Sequence, residues 1–541
     1  MSESVVAEAS GTAGTARRRT GIASAAAILM VSFVLSRLLG LARVAIQASV
    51  LQATGHYSAS FTAAIAIPDT IFTIVSGGAL GSSFIPVFAG ILSDDDEARA
   101  WRVASGVMNG VLLIMLGAVV VAELAAPWIV IPLAKPADRE LTIALTRIML
   151  LQPLFLALVG ILMGIYNSYH RFVATAVAPL VYNVASIAGL LLVGVFGREH
   201  AMAFAAWGVT IGALLQVAVL LPGLAAFQRF VRPGAGLSEQ GTREVGRLVV
   251  PRVMGQAGIQ VTGLVMIGLA NYAFVDRPSG ALRLAMNLMA LPVGIFGTAL
   301  ATASFPTLAR QAARGELVAL GETVSRTLRT MLFFSIPAAV ALMALRYPIV
   351  EVLFLRGNFH AHDVDVVAAA LLLYGAGVPV WTAVELLPRA FFALKDTWTP
   401  VLVNLVTLAL AVVLCVAGVW AAHGDSVLGV ALIAGAISLT VLIEVVWLGL
   451  ILRRRVVNLG LRDLGLATLR SLVASEAMGV ALLALLFLWR RVGPSGVRGD
   501  TALLVVAVPL GVAVYAGWAY VVEAPELTRA WALARSRLRR P

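Results

Sequence analysis

Two arginines stand where a charge is expensive. Arg37 and Arg43 lie within an apolar block running from about residue 24 to 51. In a bilayer-crossing helix such a charge is unfavourable by several kcal/mol, so it usually faces a cavity or a partner. Six residues of separation is about 600° of helical rotation, which sets the two side chains about 120° apart, on adjacent parts of one wide cavity. A guanidinium suits phosphate or carboxylate, because its planar fork donates two parallel hydrogen bonds. The blander reading is that one or both sit near a helix end and snorkel to the interface.

Other polar groups are scattered through later apolar blocks. Asp69 follows Pro68. Glu385 and Arg389 are four apart, the spacing at which opposite charges on one helix face satisfy each other. Glu444 and Glu476 are lone carboxylates, suited to a coupling cation or to an arginine elsewhere; Arg346 and Glu351 come late in their block, at a helix end. Gln260, Asn183, Asn271, Asn287 and Asn404 suit interhelical hydrogen bonds, their default role, or a cavity lining. Pro68, Gly77, Gly78 and Pro86 interrupt the second block, and Pro292, Gly294, Gly297 and Pro306 interrupt the eighth. Broken helices at matching places point to moving elements beside a substrate path. No pattern reads as hydrolytic or redox machinery: there is no P-loop, HExxH, paired cysteine or GxSxG. The single cysteine, Cys415, reads as a small buried hydrophobe. The expectation is a protein that is not an enzyme, with no catalytic residue, metal or cofactor. Transport would draw on the membrane potential or a monovalent cation.

Membrane helices must position these residues. Of 541 residues 60% are hydrophobic and only 13% charged, too few to cover a soluble surface. Fourteen apolar blocks can be marked along the chain, each long enough to cross a ~30 Å hydrocarbon core. With the N-terminus inside, 26 loop Arg and Lys fall on the cytoplasmic side and 9 outside, which places both termini in the cytoplasm. The net charge of +12 therefore encodes topology rather than nucleic-acid binding. An internal repeat is visible: Pro86 and Pro306 sit in "ALGSSFIP" and "ALATASFP", and Pro179 and Pro400 in "PLVYN" and "PVLVN", at offsets of 220 and 221. Six helices separate the copies, so the halves share one orientation, a transporter architecture. The expected organisation is all-α: a disordered cytoplasmic tail (1–22), two pseudo-symmetric six-helix lobes (23–228 and 248–453), two extra helices (467–523) and a basic cytoplasmic tail (524–541).

Six motifs in order carry a family resemblance. They are "SFVLSRLLGLAR" (Ser32 to Arg43), "GGALGSSFIPVF" (Gly77 to Phe88), "PRVMGQAGIQV" (Pro251 to Val261), "LPVGIFGTALATASFPTLAR" (Leu291 to Arg310), "LFLRGNF" (Leu353 to Phe359) with Asp363 four residues on, and "RAFFALKDTWTPV" (Arg389 to Val401). Together they resemble the MurJ (MviN) family of the multidrug/oligosaccharidyl-lipid/polysaccharide (MOP) superfamily. The resemblance implies alternating access by two lobes around a cavity, in a bacterial cytoplasmic (inner) membrane. It implies lipid II, an undecaprenyl-diphosphate-linked glycopeptide, as substrate, with its tail in a groove of the last two helices. Membrane lipids, and cell-wall synthesis proteins, would be the partners. By similarity Arg37 and Arg43 line the cavity, with Gln260, Arg283 and Asn287 as further lining. The sequence departs from the family where Val44 replaces an acidic residue, Ala59 an Asp, Phe72 and Thr73 basic residues, and Met286 and Asn287 an Asp-Arg pair. A flippase for another undecaprenyl-linked glycan, of O-antigen or capsule type, is an alternative, as are a MATE-like antiporter and a non-transporting membrane scaffold.

Overall fold

In hydrocarbon a backbone satisfies its N–H and C=O groups only within a helix or a closed barrel, and Leu-, Val- and Ala-rich blocks of this length choose the helix. The computed structural model describes residues 35–75, 84, 87–88, 90–92, 96–169, 172–222, 239–456, 459–494, 496–522 and 526. It is all-helical, with no strand among the described residues. The helices α1 (35–51), α2 (His56–Val75), α3 (Glu97–Val130), α4 (Arg139–Met149), α5 (Gln152–Ser168), α6 (Phe172–Phe196), α7 (Arg198–Leu220) and α8 (Gln240–Ala273) come first. Then α9 (Ser279–Pro292) runs through a π-helical turn (Val293–Thr298) into α10 (Ala299–Ala313). The chain continues with α11 (Leu317–Ala344), α12 (Arg346–Phe354), α13 (Ala361–Val384), α14 (Leu387–Ala393), α15 (Trp398–Ala421), α16 (Ser426–Arg455), α17 (Leu461–Val492) and α18 (Val497–Val521).

Among the described residues, 12 stretches are long and apolar enough to cross a membrane. Two more of the expected blocks, 35–51 and Ala257–Ala273, are helical but shorter where described, so a count of fourteen is not reached. Side chains such as Leu124, Val195, Trp420 and Val480 are largely exposed, as lipid-facing residues of a multi-pass membrane protein must be. One helix shows side-chain capping and charge placement at both ends. Asp425 accepts from the N–H groups of Val427 (2.9 Å) and Leu428 (3.2 Å) at the start of α16, whose last turn carries Arg453, Arg454 and Arg455, and both ends complement the helix dipole.

The chain forms two compact units. Unit 1 holds the described residues up to Val50 with Ala64–Ile131 and Arg139–Gln260; unit 2 holds Leu51–Ala63, Pro132–Asp138 and the chain from Val261 onward. In unit 1, Phe84, Phe88 and Trp101 pack on Ile161 and Ile165. There α6 and α7 cross closely, because Gly189, Gly208 and Gly212 leave room for the opposing backbone: a Cβ on Gly208 would meet the Ala185 carbonyl at 2.9 Å, and one on Gly212 the Tyr182 carbonyl at 2.9 Å. Such small-residue contacts take the place of a hydrophobic driving force between membrane helices. In unit 2, α17 and α18 dock on α11 through Phe333, Met478, Leu482 and Tyr515, and the Tyr515 hydroxyl donates to the Phe333 carbonyl at 2.6 Å.

Gly208→Val is expected to lower the stability of the purified protein by about 1–3 kcal/mol, the usual effect of overpacking. A thermal melt in detergent reads this directly, and an unchanged midpoint would mean that the crossing does not need the glycine.

Candidate functional site

The charged residues of the apolar blocks have found three kinds of neighbour. Arg37 is exposed on α1 and Arg43 is half-buried. The Arg43 guanidinium lies 5.5 Å from the centroid of the Tyr182 ring on α6, and its buried Nε has no hydrogen-bond partner among the described residues. A π face attracts a cation without forming an ion pair with it. Arg37, Arg43 and Gln260 belong to unit 1, whereas Arg283 and Asn287 belong to unit 2. Within α9, Arg283 is half-buried and Asn287 exposed one turn later, beside an exposed Met286. Of the other family departures, Val44, Phe72 and Thr73 are half-buried and Ala59 is fully buried.

The second kind of neighbour is a hydrogen-bonding side chain. Gln152 donates to Asp69 at 3.4 Å. The buried Glu444 accepts from the Asn404 amide at 3.2 and 3.1 Å and from the Thr407 hydroxyl at 3.3 Å. The repeat partner of Asn404 behaves differently: Asn183 donates within its own helix to the Pro179 carbonyl, at 3.0 Å. The third kind is an opposite charge. Arg389 pairs with Glu385 at 3.2 Å, then donates to the Thr302 hydroxyl (2.8 Å) and to the Thr298 carbonyl (3.3 Å) at the end of the π-helical turn. That turn begins directly after Pro292 and contains Gly294 and Gly297; a Cβ on Gly297 would come within 3.2 Å of the Thr382 Cα. Pro68 lies inside α2. Gly77, Gly78 and Pro86 lie outside the described residues.

Sequence reasoning missed a polar cluster in unit 2, where the segments 51–63 and 132–138 meet α8, α9 and α13. Asp138 is 1% exposed and pairs with His56 and with Arg277, the latter at 2.6 Å. Asp363 is 2% exposed. One of its oxygens accepts from the Ala53 N–H (3.2 Å), the Thr54 N–H (3.0 Å) and the Thr54 hydroxyl (2.7 Å), and the other from the His360 N–H (2.9 Å) at the head of α13. Lys135 donates to the Phe274 carbonyl (2.7 Å), Asn271 to Leu133 (2.8 Å) and Tyr272 to Ala134 (2.7 Å). His362 faces Asp276 at 2.9 Å. Burial, and then the Arg277 charge, pulls the Lys135 ammonium below its ordinary value against the opposing pull of Asp138 and Asp276. The only advance signal was Asp363, which closes one of the six motifs; His56 and Asp138 had none.

Another motif residue, Asp396, proves to be a cap. It accepts from the Thr399 N–H (3.0 Å) and hydroxyl (2.6 Å) at the start of α15, and pairs with Arg455 at 2.6 Å. Burial pushes its carboxyl up, but Thr399 and Arg455 outweigh this and hold it below the usual range. Beyond the end of α11, Glu351 on α12 shares a hydrogen bond with Asp500 of α18; burial, and then this second carboxyl, pushes Glu351 up to about 7.

Long apolar helices, one of them interrupted by a π-helical turn, make a multi-pass membrane protein, and its fold is one shared with solved transporters of the MOP superfamily. An inward-facing multidrug resistance MATE family transporter of that superfamily aligns with a TM-score of 0.62 at 15% identity, covering 77% of this chain and 95% of that one. A lipid II flippase MurJ in an inward closed conformation aligns with a TM-score of 0.72 at 20% identity, covering 91% of this chain and 98% of that one. The family model described as "Lipid II flippase MurJ" matches residues 48–498. A probable lipid II flippase MurJ of Bdellovibrio bacteriovorus is 30% identical over 518 residues, 93% of this chain and 95% of the relative; one of Rhizobium tropici is 30% identical over 375 residues, 68% and 69%. The chain belongs to the MurJ family.

Removing the cap in Asp396→Ala is expected to lower stability by about 1 kcal/mol at pH 7. A depressed carboxyl stabilises the fold above its unfolded value and loses that effect as pH falls through the folded one. Melts of wild type and variant should therefore converge below about pH 4; a constant gap would exclude the charged cap. Glu351 has the opposite sign. Its raised value makes the tie between α12 and α18 strongest below about 4.5, and that strength is lost as pH rises through about 7. Amide exchange in α12, corrected for intrinsic rate, should be slower at pH 5 than at pH 8, and Glu351→Gln should remove the difference. The same pH dependence in the variant would assign it elsewhere.

Proposed function

We propose that this chain flips lipid II from the cytoplasmic to the outer leaflet of the bacterial cytoplasmic membrane by alternating access, with both termini in the cytoplasm. Membership of the MurJ family over residues 48–498 carries the reading. The chemistry agrees with it. The diphosphate and peptide carboxylates of lipid II are anionic and cannot cross hydrocarbon unaided. Arg43 offers a cation that Tyr182 holds but does not neutralise, and Arg37 adds a second on the same helix. Arg283, Asn287 and Gln260 complete the head-group lining. The interrupted segments Pro68–Pro86 and Pro292–Gly297 serve as hinges. The polyprenyl tail follows α17 and α18. The membrane potential or a monovalent cation assists release of the head group outside, and cell-wall synthesis proteins are the partners.

The test is complementation of a bacterium depleted of its own MurJ. Wild type is expected to restore growth, and an Arg37→Ala, Arg43→Ala double variant, matched for membrane expression, to fail. Rescue by the double variant would remove the arginines from the mechanism. Failure of well-expressed wild type, with surface labelling of a different undecaprenyl-linked sugar, would assign another lipid-linked glycan.

A further inference from the structure

The carboxylates of the apolar blocks are partnered, with one exception. Glu385 meets Arg389, Glu444 meets Asn404 and Thr407, and Asp69 meets Gln152. Glu476 of α17 is exposed and forms no hydrogen bond or ion pair among the described residues. It does not lie at a helix end. Residues 471–489 of α17 hold no other charged side chain, and Arg470 bounds the run on one side and Arg490 and Arg491 on the other. Six residues past Arg470 is about 9 Å of helix rise. Long Lys and Arg stems reach the interface from such a depth; the short stem of a glutamate does not.

The surroundings of Glu476 are not those of a water-filled cavity. The side of α17 that packs on α11 and α18 carries Ala474, Met478 and Leu482. At 100° per residue, Glu476 projects about 120–160° away from these three. Within about 60° of it stand Leu469, Leu472, Val473, Val480, Leu483 and Phe487, all exposed. This lane is apolar over about five turns, apart from the one carboxylate. A charge at that depth is unfavourable unless a cavity or a counter-charge receives it, and the apolar neighbours leave the counter-charge.

Three occupants of the lane can be compared. Acyl chains offer no counter-charge. A second copy of this chain, related by a two-fold axis along the membrane normal, would set Glu476 opposite its own equivalent, two like charges at one depth. A helix of another membrane protein with Arg or Lys at that depth answers the carboxylate and covers the apolar lane together.

We infer that the exposed side of α17 is a docking face for a transmembrane helix of a partner protein, and that Glu476 is the counter-charge for a basic side chain on that helix. The apolar lane supplies the packing and the carboxylate fixes depth and register. The assignment does not depend on which lipid is transported.

The test reads proximity and uses no transport assay. A photoreactive benzoylphenylalanine replaces Val480 in the full-length protein, in living cells of the species that makes it, and adducts are identified by peptide mass spectrometry. The expected result is one membrane protein, cross-linked through a spanning helix that contains Arg or Lys. Val413, equally exposed on α15, is the control position and should give lipid adducts only. Glu476→Leu is expected to lower the cross-link at position 480 by about tenfold or more, the loss that follows from removing one member of a desolvated charge pair. Glu476→Lys combined with a glutamate in place of the partner's basic residue should restore it. The thermal midpoint of purified Glu476→Leu should be unchanged or raised, since a charge leaves an apolar lane. A cross-link that persists in Glu476→Leu, or that forms equally at position 413, overturns the docking face. So do adducts confined to lipid, to a second copy of the chain or to another part of the same chain, and so does a lowered midpoint, which would make Glu476 a group needed by the fold.

Discussion

A charge in hydrocarbon finds no water, and this protein answers that constraint in ways that separate structure from function. Glu385 and Arg389 meet each other, four residues apart on one turn. Glu444 meets an amide and a hydroxyl. Arg43 lies against the face of Tyr182, and its buried Nε has no hydrogen-bond partner among the described residues. Residues whose charge is cancelled locally hold helices together.

The fold was legible because hydrophobic blocks of this length allow one backbone solution. The break between α9 and α10 was visible in Pro292, Gly294 and Gly297, although the sequence could not say that the interruption takes the form of a π-helical turn. Asp396 was visible only as a member of the motif "RAFFALKDTWTPV"; its cap on α15 and its pairing with Arg455, on a helix distant in the chain, were not. The polar cluster of unit 2 was nearly invisible. His56, Asp138 and Arg277 have no periodic or local relation, and only the tertiary path of the chain brings them together. Contacts between distant loops leave no spacing to read.

The repeat illustrates how similar sequence diverges in use. Asn183 and Asn404 occupy matching places four residues after a proline. The first donates inside its own helix and the second reaches the carboxylate of a neighbour. One amide ties two helices through Glu444, and the other is a tie within a single helix.

The π-helical turn has a geometric consequence. It holds one residue more than the α-turn it replaces, which offsets the two flanking helices by about 100°. In an unbroken α-helix, Arg283 and Thr302 would point roughly 100° apart. The extra residue brings them back into line, so that Arg283, Asn287, Thr298 and Thr302 fall within one sector of the rod. Arg389, bonded to both Thr298 and Thr302, pins the phase of that sector. The turn thus acts as a phase-shifter: it sets which residues of the helix share a side, and straightening it would twist half of the four out of line.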